Sequence, residues 1–501
     1  MPLSFTLIIF KMRHKLGLAA AFILASFQLQ AQNDADYLRY SILNYGSTSR
    51  SLGMGNSFGA LGADISTLST NPAGIGLYHR SEMTITPAFL NRNTENDFEG
   101  NIKEDNYFQF AIGNFGLVFA DKRKNKNWKY LNFGIGYNRT KNFGADEFSQ
   151  YNNRSNTLID SWVEELNTTG SLHSDYPYEQ ELAWWTYLIN YDTTTNQYTS
   201  GIPNGGTRQT QTIERRGGQG EWDFSISSNY RDKLYLGFTL GVAIIRYEEN
   251  MRWTEEDVRD TIDNFKYYEY STGLITSGSG FNLKFGAIYK FSSFLRAGFA
   301  IHTPTWLYLT DDYRSSITSD MEAIQNFSVS GPDFLPFDYR IESPFRMITS
   351  LAIIAGKAGA INVDYEVLDY SMGHVKPRDA QFNSAFSETN QAINVKYGWQ
   401  HNIRVGVELP IDALRVRFGG EYTSSPFDKN LRPDNTDLDM SGYTFTGGLG
   451  YRAERFYLDA AYAWSRFGSF NYPYTMDFES TPGITSTRTD NRFQFTFGWL
   501  F

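Results

Sequence analysis

Phe493, Phe495, Phe497, Trp499 and Phe501 stand at strict two-residue spacing at the end of this chain, with Gln494, Thr496 and Gly498 between them. In a strand, successive side chains point to opposite faces, so one face here is a continuous aromatic wall and the other is small or polar. Water does not tolerate such a wall. It needs either the core of a β-sandwich or the hydrocarbon of a membrane, and the rest of the chain must decide between them.

Composition favours the membrane. The chain has 501 residues, 16% aromatics and no Cys, with a mean hydropathy of -0.43. Its longest apolar run, Leu16 to Phe27, is too short to cross a bilayer as a helix. A β-barrel can look this polar, because only every second residue of each strand meets lipid. The formal charge of -10 argues against nucleic acid, which calls for a basic face. Absence of Cys removes disulfides, thiol chemistry and Cys-ligated metals. A final strand ending on an aromatic residue resembles the closing strand of outer-membrane β-barrels, which makes Phe501 the expected signal for the barrel-assembly machinery.

At the N-terminus, Met12-Arg13-His14-Lys15 reads as a positive n-region, Leu16 to Phe27 as an apolar h-region and Leu29-Gln30-Ala31 as a cleavage site. Residues 1–31 are thus expected to be a signal peptide, with Met12 the expected true start and a mature chain beginning near Gln32. Beyond residue 80, about fourteen segments have the length and alternation of membrane strands. They lie at 81–91, 106–120, 128–140, 221–230, 233–247, 279–291, 294–303, 345–355, 358–368, 397–409, 413–424, 441–452, 454–466 and 491–501. From the second onward, short turns alternate with long loops at 141–220, 248–278, 304–344, 369–396, 425–440 and 467–490. That asymmetry between two rims predicts a transmembrane antiparallel β-barrel over 81–501, with short periplasmic turns and both termini in the periplasm.

Residues 32–80 break the pattern. They are rich in Gly, Ser and Ala around Gly53-Met54-Gly55 and contain Asp64 and Asn71-Pro72-Ala73. No strand and helix of a βαβ unit flank the glycines, so packing of a plug inside a lumen reads better than a nucleotide site. This stretch resembles the hatch of the FadL/TodX family of outer-membrane transporters for long-chain fatty acids and other hydrophobic compounds. The shared features are the Gly-rich approach, Asp64, and Asn71-Pro72-Ala73 ahead of a first barrel strand. The resemblance implies an N-terminal luminal hatch, a fourteen-stranded barrel and passive transport: hydrophobic molecules such as fatty acids are captured at extracellular loops and released past or beside the hatch. Barrels related to this family also serve as accessory subunits of surface protein export, and relatives suggest a haem-binding receptor, so both readings stay open here.

Further candidates come from the alternation itself. Asn362, Asp364 and Glu366 share the inward face of one strand, Arg404 and Glu408 that of the next, and Arg415, Arg417 and Glu421 that of the third. Paired charges are the ordinary filling of a polar lumen. The functional alternative is that one Arg is left over to hold a ligand carboxylate by a bidentate contact. In loop 141–220, Leu158, Ile159, Trp162, Val163 and Leu166, and then Leu182, Trp184, Trp185, Leu188 and Ile189, predict two short amphipathic helices above the mouth. They read as loop packing or as a capture surface for hydrophobic ligands. His79, His173, His302, His374 and His401 show no metal-ligand spacing, and no G-x-S-x-G context supports a hydrolase. The expectation is a transporter with no catalysis, no cofactor, no metal and no nucleic-acid partner.

Overall fold

The computed structural model describes residues 34–44, 46–202, 206–321, 324–333, 336–378, 386–428 and 440–501. The expected signal peptide, Met12 and Tyr45 lie outside them, as does most of loop 425–440. Fourteen antiparallel strands close into one barrel. In chain order they are β1 (Glu82–Phe98), β2 (Asn101–Lys122), β3 (Trp128–Asn142), β4 (Arg208–Tyr230) and β5 (Leu234–Glu256). Then come β6 (Phe265–Lys290), β7 (Leu295–His302), β8 (Arg346–Ile354), β9 (Ala360–Asp369) and β10 (Trp399–Ile411). β11 (Leu414–Thr423), β12 (Gly442–Arg452), β13 (Phe456–Asn471) and β14 (Ile484–Leu500) complete the wall.

The C-terminal aromatic strand closes the ring. It pairs Leu500 with Glu82, Trp499 with Met83 and Phe497 with Ile85, and its aromatic stripe faces outward, with Phe495 50% and Trp499 43% exposed. Closing the ring pairs the first strand with the last, so neither presents a free sheet edge to hydrocarbon there. Phe501 extends the closure by one more residue. Its N–H donates to the Ser81 carbonyl at 3.0 Å, its own carbonyl accepts from Ser81 at 3.2 Å, and its ring lies edge-on to Phe119. Deleting Phe501 or replacing it by Asp is therefore expected to lower the yield of folded, heat-modifiable barrel, measured as unboiled mobility in isolated membranes. Unchanged yield would remove the closing role.

A membrane strand needs only about ten residues, yet β4 and β5 run for 23 each and β6 for 26. They continue into segments that read as loops, and residues Trp306–Met321 and Phe337–Glu342 are strand as well. Above the membrane both faces of a strand meet water, so its ladder carries no apolar stripe; Arg208-Gln209-Thr210-Gln211-Thr212 at the start of β4 has none. The taller side carries a cap of its own. Leu158–Thr169 (α3 below) and Gln180–Trp185 pack with Trp253, Phe265, Tyr268, Tyr270, Ile317 and Tyr474 into one apolar cluster.

The N-terminal segment fills the lumen. Helix α1 (Asp34–Ser41) stands in its outer half, where Tyr397 Oη donates to Asp34 and Tyr37 Oη donates to the Tyr370 carbonyl at 2.8 Å. The chain then descends through α2 (Ser49–Gly53) and a 3-10 turn (Pro72–Leu77) to Ser81 at the short-turn rim. Phe501 ends at that rim. The start of the described chain does not: Lys396 of an outer loop pairs with Asp34 at 3.0 Å. The expectation of two periplasmic termini is corrected on this point, because strand parity fixes where β1 begins and says nothing of a segment threaded up the lumen before it. In the cap, α3 is Leu158–Thr169, started by a reciprocal box between Thr157 and Asp160.

Candidate functional site

The plug is seated on glycines of the wall. At one corner Gly237 of β5 and Gly286 of β6 are cross-strand partners, and Asn71-Pro72-Ala73 lies directly on them. A Cβ on Gly286 would come within 2.1 Å of Asn71 Oδ1, and one on Gly237 within 2.2 Å of the Pro72 carbonyl carbon. At the second corner Gly406 of β10 pairs with Gly419 of β11 and leaves room for Gly53-Met54-Gly55. A Cβ on Gly406 would stand 2.3 Å from the Met54 carbonyl oxygen, and one on Gly419 2.2 Å from the Gly55 nitrogen. The glycines of both partners serve close backbone approach.

Local chemistry makes each corner rigid. Asn71 caps the 3-10 turn by accepting from the Ala73 N–H at 3.2 Å, while Pro72 occupies the first helical position, where no donor is needed. The Asn71 amide donates to the Gly59 carbonyl at 2.7 Å and to the wall carbonyl of Ala287 at 3.4 Å. Asp64 holds the plug to itself: it accepts from Thr48 Oγ1 at 2.9 Å, from Ser66 Oγ at 2.7 Å and from the Ser66 N–H at 3.0 Å.

The lumen charges sort into roles. Asp364 joins no ion pair among the described residues; it accepts the N–H groups of Phe58 at 2.9 Å and Gly59 at 3.1 Å and so latches the plug to β9. Glu366 pairs with Arg404 at 2.7 Å and Arg346 at 3.1 Å, and Arg404 also reaches Glu421 at 2.8 Å. Arg417, with no exposed side-chain surface, pairs with Glu408 at 2.7 Å and Asp459 at 2.7 Å. Arg415 corrects the expectation of a third luminal arginine: close to the turn at 412–413, it curls onto the carbonyls of Asp412 and Leu414 at the rim. Among the described residues Arg404 and Arg417 are thus each shared by two carboxylates, and Arg415 is bonded to backbone carbonyls alone.

The same alternation, applied to every strand, picks out the wall side of further ties, though not their plug partners. Arg50 of the plug pairs with Glu408 at 3.2 Å. Lys284 bridges Glu221 and Asp223, and Ser69 of the plug donates to Asp223 at 2.5 Å. His302 lies 2.9 Å from the Thr70 carbonyl. That histidine, the outward His401 against Tyr365 and the loop histidine His173 stacked on Trp184 stand on separate parts of the fold.

The capture residues also divide. Trp162 and Leu166 are buried in the cap cluster and Trp184 is packed against it, whereas Trp185 is 55% exposed. Helical spacing reported correctly that the first two face an apolar surface; that surface is the cap's own core.

One stretch of the wall is unladdered. β2 pairs with β3 only from Asn114 to Lys122. Beyond Asn114 its edge faces Ala145–Asn152, a strand that pairs with β4. Side chains bridge the seam: the Phe148 N–H donates to Asp105 at 2.7 Å, and Asn101 to the Gln150 carbonyl at 2.7 Å. Tyr107 fills the space beside Gly144, where a Cβ would meet its ring at 2.2 Å.

A closed fourteen-stranded barrel with an apolar outer face and a luminal N-terminal plug defines the outer-membrane β-barrel class. Its fold is that of the FadL/TodX channels. A Pseudomonas aeruginosa FadL homologue superimposes with a TM-score of 0.55 at 12% identity, over 90% of this chain and 98% of that one. The P. putida toluene transporter TodX gives 0.50 at 11% identity, over 91% and 99%, and a TodX monoaromatic hydrocarbon channel variant gives 0.52 at 11%, over 91% and 99%. No family model matches the sequence, and no curated protein matches it.

Proposed function

We propose that this barrel is a passive channel for hydrophobic molecules, closed by a movable plug. The observation that carries this reading is that the plug adds no strand to the sheet. The wall closes through its own ladders, and among the described residues the plug is held by side-chain bonds, by fit against glycines and by a backbone bond from the Asn44 N–H to the Thr140 carbonyl at 2.7 Å. It can therefore rearrange without breaking a wall strand. An aromatic outer lumen suits an apolar cargo such as a long-chain fatty acid or a monoaromatic hydrocarbon: Phe143 lies edge-on to Tyr40 at 5.9 Å and to Tyr247 at 5.1 Å. Capture falls to exposed cap aromatics such as Trp185, and the seam beside Tyr107 offers release beside the hatch as well as past it.

Asn71→Ala tests the reading. It removes a helix cap and the bonds to Gly59 and Ala287, together about 2 kcal/mol of plug seating, or roughly thirtyfold in the displaced population. Uptake of a labelled long-chain fatty acid, in cells with matched amounts of folded barrel, should change with assembly intact. Wild-type uptake in Asn71→Ala would show the corner to be a structural turn and not a gate.

A further inference from the structure

One luminal cluster holds more cations than acids. On β1 and β14, Arg92 takes both oxygens of Asp490, at 2.8 and 2.9 Å, and also donates to the Gly144 carbonyl beside the seam. Three more cations gather around that pair. Arg488 Nε makes a long ion pair with Asp490 at 3.6 Å, too far to hydrogen-bond, and its guanidinium lies over Phe467 at 4.9 Å. Lys141 of β3 donates to the Arg39 carbonyl and sits 5.6 Å from the Phe143 ring. Arg492 makes no hydrogen bond or ion pair among the described residues.

Register places Arg488 and Arg492 beside Arg92 on the closing ladder, and the Arg92 bond to the Gly144 carbonyl brings the end of β3, and with it Lys141, alongside. Lys141 lies within Coulombic range of Arg92 and Arg488, and Arg492 within range of Arg92 and Asp490. Arg488, Asp490 and Arg492 alternate on the inward face of β14 and pair with Thr94, Arg92 and Leu90 across the closing ladder. The nearest further acids are engaged elsewhere: Glu147 with Arg215 at 2.7 Å and Glu421 with Arg404 at 2.8 Å. Three cations thus face one lumen region with a single, already paired carboxylate among them. Burying like charges together is unfavourable, and an anion that joins them relieves the repulsion. A monoanion would leave two of the three uncompensated. A dianion matches better, and the aromatic rings of Phe143 and Phe467 flank it with apolar surface.

We infer that Lys141, Arg488 and Arg492 form a head-group site for a dianionic amphiphile, an alkyl chain bearing a phosphate-type group. The inference rests on the transport reading and gives it a cargo class distinct from an uncharged hydrocarbon or a simple carboxylate. Arg488 and Arg492 supply planar forks that suit phosphate oxygens, and Lys141 a point charge.

Titration calorimetry on the full-length barrel in nonionic detergent tests it with four probes: dodecyl phosphate, dodecanoate, dodecanol and inorganic phosphate. Dodecyl phosphate is expected to bind at least tenfold tighter than dodecanoate. Arg492→Gln and Lys141→Met, each checked for heat-modifiable mobility, should each lower its affinity tenfold or more and leave dodecanol binding unchanged. Equal binding of the three alkyl probes, or unchanged phosphate affinity in both variants, would overturn the head-group site while leaving the transport reading standing. Inorganic phosphate binding as tightly as dodecyl phosphate would overturn the amphiphile. Failure of all four probes to bind, with no uptake in cells, would sink the transport reading as well.

Discussion

Gly286→Val should leave the barrel folded and unseat its plug. Valine favours strand geometry, so the wall loses nothing in its own ladder. Its Cβ, however, would stand 2.1 Å from Asn71 Oδ1, 2.9 Å from Pro72 Cδ and 3.0 Å from the Ala73 nitrogen. Backbone and a proline ring cannot rotate aside, so the corner must lift away, at about 3 kcal/mol or roughly a hundredfold in the seated population. Conductance of the purified barrel in planar bilayers should rise, and cells should become sensitive to large antibiotics, while unboiled mobility stays that of the folded form. The comparison with Asn71→Ala is informative, because one change deletes bonds and the other enforces displacement; the valine should have the larger effect. A closed, wild-type conductance in Gly286→Val would mean that the wall, and not the plug, gives way.

Arg417→Met should produce the largest loss of stability available from a single luminal change. The guanidinium is fully buried between Glu408 and Asp459, with Arg50 of the plug on Glu408 and Arg452 on Asp459. Removing it leaves two carboxylates with one cation each in a low-dielectric interior, a cost of about 3 kcal/mol. The urea midpoint of the folded-to-unfolded transition, followed by heat-modifiable mobility, should fall accordingly. A second change, Asp459→Asn, deletes the acid that Arg417 answered, and the double variant should recover part of the loss. If the double variant is less stable than Arg417→Met, the charge argument fails and packing of the long side chain is the cause.

The wall was legible strand by strand because lipid imposes a period of two that nothing else in the chain mimics. Phe456, Leu458, Tyr462 and Trp464, or Leu234, Leu236 and Phe238, can only be one face of a strand against hydrocarbon. The signal stops where the bilayer stops. Arg208 to Thr212 of β4 carries nothing but polar side chains, so the ladders above the membrane, the cap they carry and the burial of Trp162 and Leu166 emerge only when the strands stand side by side. Luminal charges are half legible: alternation assigns Asp364, Glu366, Arg404 and Arg417 to the inward face, but which acid meets which cation depends on register between neighbours. Asp364 reads as a network charge and serves as a latch for Phe58 and Gly59.

The solvent, the wall strands and the corner at Asn71-Pro72-Ala73 can be read from the residues alone, because each follows from local rules: the pleat, the length of a span, and the backbone limits of Asn before Pro. Only the tertiary structure decided what the plug rests on. Gly237, Gly286, Gly406 and Gly419 sit far from residues 53–73 in the chain, and glycine in a strand has many uses, so their role is defined by what approaches them. The same holds for Lys141, Arg488 and Arg492. Each is an ordinary inward charge, two on β14 and one on β3, and closure of β14 onto β1 gathers them around the single Arg92–Asp490 pair, since pairing of the first strand with the last is a property of the closed ring and of no single segment.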